Sequence, residues 1–174
     1  MNQIYKDSTY LSYFLKYIIV PFRVLGIYPE PFLLPYTVYI GVDPTPEDKR
    51  PTTDTEKMTV EIPFTHVQSF GSDIKMILIS AREGIHEIGH VIHLDKLETT
   101  DDWAAWGFGT KRAVQLSPVE RKQIPSWENF AWDIAEVLNF NLPEWYITFL
   151  GGKKSLDYMV GQTAYRLTQM GVMP

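Results

Sequence analysis

Ile74-Lys75-Met76-Ile77-Leu78-Ile79-Ser80-Ala81-Arg82-Glu83-Gly84-Ile85-His86-Glu87-Ile88-Gly89-His90 is the stretch on which the fold turns. Its last five residues form an H-E-x-x-H pattern. In a helix, His86 and His90 lie one turn apart on a single face, where two imidazoles can grip one metal ion. Glu87 between them can serve as base toward a metal-activated water. No proline falls between Ser80 and Leu94, so a helix is allowed there, although Gly84 and Gly89 weaken it. Ser80 with Glu83 three residues on has the form of a capping box, which predicts a helix over about 81–94. The nearly continuous apolar run Met76-Ile77-Leu78-Ile79 before it predicts a strand over 74–79, buried on both faces. Gly89 on a packed face is expected to admit a close neighbour.

The rest of the chain reads as one domain. It has 174 residues, 45% hydrophobic and 21% charged, enough for a core without staples. The net charge of −5 and the lack of a basic stripe argue against nucleic acid as a partner. There are no cysteines, which excludes disulfides, a thiol nucleophile and thiolate metal ligands. Any metal must therefore be held by His, Asp or Glu. The N-terminal residues lack the basic region of a signal peptide, so a cytoplasmic or virion-associated location is expected. Tyr10 to Tyr28 is largely apolar but is interrupted by Lys16, Pro21 and Arg23, and reads as a core helix and not as a membrane span.

Ser8 is the expected N-cap of that first helix, with Leu11, Phe14, Leu15, Ile18 and Ile19 on its apolar face and Pro21 ending or kinking it. Pro29, Pro31 and Pro35 predict extended or turn-like chain. Strands are expected over 36–42 and 58–64, Pro63 marking the latter as an edge strand or ending it. Asp43 to Lys57, with three prolines, reads as a surface loop. Further helices are expected from Ser117, from Pro125 to about Phe140, and over 155–170. The segment 94–110 reads as loop. Its Trp103, Trp106 and Phe108 belong more naturally to core packing than to a substrate cleft. His66, isolated in the sequence, reads as structural or exposed. The architecture so defined is α+β, a small mixed sheet on an active-site helix followed by a helical half.

A catalytic zinc takes three protein ligands and keeps one position for water. Candidates for the third are His93, Asp95, Glu98, Asp101, Asp102, Glu128, Asp133 and Glu136. Glu128 is favoured because Ala131 and Ala135 share its side of the helix, and small residues there let it approach Gly89. Asp133 reads as the partner that orients a histidine, or as the ligand if the register differs. His93 falls on the ligand face but has no histidine after it. The metzincin pattern H-E-x-x-H-x-x-G-x-x-H is therefore not met.

The pattern His86-Glu87-x-x-His90 followed by the Glu128-x-x-Ala131 helix resembles the gluzincin type of zinc metallopeptidase. The likeness is to the catalytic domains of the anthrax lethal factor and Pro-Pro endopeptidase group, and second to ImmA/IrrE-type peptidases. It spans about Ile77 to Leu138. It implies a zincin-like fold, zinc held by His86, His90 and Glu128, Glu87 as general base, and a peptide or protein substrate. One strand before the active-site helix, 58–64 or 74–79, would pair with that substrate, Pro63 making the first the better edge candidate. The chain departs from the pattern in two places. Arg121 stands where the lethal-factor group has a tyrosine, leaving Tyr158, Tyr165 and His93 as unranked substitutes, and Trp132 stands where many gluzincins have an acid. Two alternatives accompany this reading. One is a non-enzymatic, zinc-stabilised component of a larger, phage-like assembly. The other is an ImmA-like regulatory protease that cleaves a repressor.

Overall fold

The computed structural model describes residues 1–43, 50–64, 74–95 and 153–174, together with Glu128, Ala131, Ile134 and Ala135. These form a mixed α+β arrangement: a four-stranded sheet with helices packed against it. The strands are β1 (Asn2–Tyr5), β2 (Thr37–Ile40), β3 (Thr52–Asp54) and β4 (Thr59–Ile62). The order across the sheet is β1-β2-β4-β3, with β1, β2 and β4 parallel and β3 antiparallel to β4.

Two expectations about the sheet are corrected. The 58–64 strand is internal, since β4 has β2 on one side and β3 on the other. Pro63 lies just past its end, where a missing N–H costs no ladder bond. Among the described residues the outer strand is β3, inside the stretch read as a loop. Asp54 accepts a hydrogen bond from the Lys57 amide at 2.8 Å and closes the turn that folds β3 back onto β4. The opposite edge, β1, had no clear signature, because Asn2-Gln3-Ile4-Tyr5 is exposed at three of its four positions.

α1 (Ser8–Phe14), a π segment (Leu15–Ile19) and α2 (Val20–Val24) follow one another without a break. The N-cap is Asp7, not Ser8. Its carboxylate accepts from the amides of Thr9 at 2.8 Å and Tyr10 at 3.3 Å, the second and third helical positions. Pro21 does not end the helix. The turn before it widens instead, with the Val20 amide bonded to the Leu15 carbonyl five residues back. A wider turn relieves the clash that a proline ring makes with the carbonyl four residues earlier. The extra residue rotates the apolar face. Phe14, Ile18, Ile19 and Phe22 are buried, and Leu15 turns outward at 44% exposure. The proline-rich stretch holds a short helix, α3 (Glu30–Leu33), with Pro31 in its first turn, where the missing N–H is tolerated.

The largest correction concerns 74–79. No strand forms there. The long helix α4 runs over Ile74–Asp95, twenty-two residues. Ile77, Ala81, Ile85, Ile88 and Ile92 are buried along its length at helical spacing. The capping box is therefore absent. Ser80 lies mid-helix, 1% exposed, and its hydroxyl has no hydrogen-bond partner among the described residues. Gly84 and Gly89 are both contact points. A Cβ at Gly84 would lie 2.7 Å from Ile18 Cδ1 and 3.2 Å from Ile62 Cδ1, so α4 meets the first helix and the sheet at that point. The final helix, α5 (Lys153–Gln169), lies close to its expected bounds and buries Leu167. Among the described residues no helix is long and apolar enough to cross a membrane.

Candidate metal centre

The site is built on α4. His86 and His90 stand one turn apart, their rings nearly perpendicular with centroids 4.4 Å apart and their Nε2 atoms 2.9 Å apart. Glu128 comes from a second helical stretch. Its Oε2 lies 3.4 Å from His86 Nε2, and its Oε1 lies 3.4 Å from His90 Nε2. The three side chains offer ligand atoms all within 4.8 Å of one another, a group that could hold a metal ion.

Glu128 reaches the histidines because the two helices touch at their backbones. A Cβ at Gly89 would fall 2.8 Å from the Ala131 Cα and 3.2 Å from its Cβ. Ala131, Ile134 and Ala135 are fully buried at this contact. The expectation that Gly89 admits the helix of Glu128 and Ala131 is met by this geometry.

The donor set fits a small divalent cation. Ligands about 2.0–2.1 Å from a tetrahedral zinc lie roughly 3.3 Å from one another. The two His–Glu separations of 3.4 Å agree, and the His–His separation of 2.9 Å is a few tenths short. Electrostatics favours the protonation states that ligands need. Burial, then the adjacent His86, pushes His90 down to about 4, against a partial offset from Glu128. The hydrogen bond from His86, against an opposing push from burial, holds the Glu128 carboxyl below its ordinary value. A neutral His90 imidazole beside an ionised Glu128 carboxylate accepts a metal without first losing protons.

Glu87 points into the same space. Its Oε1 is 4.0 Å from His86 Nε2, and its side chain is 13% exposed. An open cavity of about 560 Å³ is lined by His86, Glu87, His90, His93, Leu94 and Glu128, with Thr52, Thr53 and Thr55 opposite. His93 is buried and borders this cavity, but it stands outside the ligand group. Asp95 is exposed at the end of α4 and also stands outside it. Tyr165 is 62% exposed and does not border the cavity. Tyr158 falls in α5, its side chain outside the described set. Glu98, Asp101, Asp102, Trp103, Trp106, Phe108, Arg121, Trp132, Asp133, Glu136 and His66 lie outside the described residues.

The threonine wall was not anticipated. Its signal was present: β-branched Thr52-Thr53, a turn at Asp54 to Lys57, then Thr59-Val60, the pattern of a hairpin. The prolines around it favoured the loop reading. No protein-family model, curated protein or solved structure matches this chain.

Proposed function

We propose that this chain is a zinc-dependent endopeptidase with a zincin-like fold of the gluzincin type. One observation carries the reading: His86, His90 and Glu128 converge to 3.4 Å or less, with Glu87 beside them in an open cavity walled by a sheet edge. A purely structural metal site needs neither the base nor the cavity.

When bound, zinc supplies a Lewis acid for the scissile carbonyl and acidity for the attacking water. His86, His90 and Glu128 hold it. Glu87 receives the proton of the water and delivers it to the leaving amine. The substrate backbone lies along β3 as an added strand, since β3 is the outer strand among the described residues and its threonines border the cavity. On this reading docking falls on β3 and not on the 58–64 strand.

The test is zinc content together with cleavage of a peptide library, with and without chelator. The reading expects one zinc per chain, chelator-sensitive cleavage, and a Glu87→Gln variant that keeps zinc and loses activity. Full activity in that variant would overturn the mechanism. Stoichiometric zinc with no cleavage, and unfolding on chelation, would favour a zinc-stabilised component of a larger assembly.

A further inference from the structure

β3 is short and exposed to misplacement. It has three residues and pairs with β4 through Thr52 opposite Glu61, Thr53 opposite Val60 and Asp54 opposite Thr59. Among the described residues no strand lies on its other side. A short strand paired on one side only has little to fix its distance from the helix below it. One bond does so. Thr53 Oγ1 donates to the backbone carbonyl of Glu87 at 3.0 Å. In an α-helix that oxygen also accepts from the amide four residues on, and a carbonyl has lone pairs for both. The acceptor belongs to the residue whose side chain faces the metal ligands, so the strand is tied to α4 at the centre of the site.

We propose that Thr53 is a positioning residue: its hydroxyl, bonded to the Glu87 carbonyl, sets the height of β3 above the metal centre, and so places the backbone of an extended peptide paired to β3. This rests on the peptidase reading for its consequence, but not for the bond itself. Thr53 touches neither the reacting atoms nor the metal ligands in this role. Its loss moves the docking edge in the ground state and the transition state alike, which raises KM and leaves kcat nearly unchanged.

Two variants test this in the zinc-loaded full chain. Thr53→Val keeps the β-branched shape and removes the donor, and Thr53→Ser keeps the donor. On a peptide that the wild type cleaves, Thr53→Val is expected to raise KM about tenfold, with kcat and zinc content unchanged. Thr53→Ser is expected to stay within about twofold of wild type. Backbone amide exchange across 50–56 should quicken in the valine variant and not in the serine variant. An unchanged KM in Thr53→Val, or a serine variant as impaired as the valine one, overturns the proposal. If the wild type cleaves no peptide, the peptidase reading fails, and exchange alone decides: faster exchange in Thr53→Val upholds the tie, and unchanged exchange overturns it.

Discussion

Gly89 and Ala131 meet backbone to backbone, and that contact brings Glu128 beside His86 and His90. The space for a Cβ at position 89 ends 2.8 Å from the Ala131 Cα. Gly89→Ala sets two effects against each other. Alanine favours a helix interior by about 1 kcal/mol over glycine. Overpacking a filled contact costs about 1–3 kcal/mol. The obstructing atom is backbone, so trimming Ala131 to glycine would not clear it. The helix carrying Glu128 must move away from His86 and His90. Zinc affinity is expected to fall at least tenfold, while the zinc-free form changes stability by less than about 2 kcal/mol. Competition titration with a chromophoric chelator measures the first and thermal melting the second. Unaltered affinity would show that Glu128 does not depend on this approach.

On the proposed reading, Glu128→Ala removes one of three ligands. Disturbing even the groups that orient a ligand costs about 10–100-fold in metal affinity. Loss of the ligand itself should cost more than about 100-fold and leave substoichiometric zinc after dialysis. Unchanged stoichiometry would point to Asp133 or another acid as the true third ligand.

The histidine pair was legible in the sequence because it is local, and Glu128 only through the small residues that let its helix approach. Four-residue spacing puts His86 and His90 on one face whatever the tertiary fold, and the Gly89 and Ala131 pattern anticipates a close helix contact. The misread parts depend on partners distant in sequence. Met76-Ile77-Leu78-Ile79 is apolar enough for a buried strand or a buried helix, and only the continuation through Ala81, Ile85 and Ile88 separates the two. Pro63 says that a strand stops, not which neighbour it has, and the strand order across a sheet is decided by non-local pairing. Pro21 ends a regular helix but not one that widens in the turn before it.

Ser80 provides a test of the corrected helix. A buried hydroxyl without a partner is destabilising, and alanine is the better helix former. Ser80→Ala is expected to raise stability by up to about 1 kcal/mol, read from urea unfolding of matched zinc-free samples. A loss of that size would instead fit a serine that caps a helix start.

Asp7 separates the two cap assignments in the same way. Its carboxylate serves two amides, and Ser8 is already inside the helix. Asp7→Ala should cost about 0.5–2 kcal/mol, the usual effect of losing an N-cap, and Ser8→Ala only a few tenths. The reverse ranking in thermal melts would restore Ser8 as the cap.

Acid should weaken the metal-free protein in two separate windows. His90 is pushed down to about 4 from its ordinary 6.5, chiefly by burial. The unfolded chain therefore takes up a proton at this position at a pH where the folded chain does not. The stability held by the neutral ring is fully present above about pH 6.5 and is lost as the pH falls toward 4. Glu128 is shifted below its ordinary 4.5 by His86 and His90, so its contribution is present above that value and disappears only in more acidic solution. Melting of zinc-free wild type and His90→Gln between pH 7.5 and 4.5 distinguishes the first effect. The wild type should lose stability more steeply with falling pH than the variant, which has no imidazole to protonate at that position. Parallel curves would mean that His90 titrates in the folded protein as it does in the unfolded chain, and that its ring is not held neutral by burial.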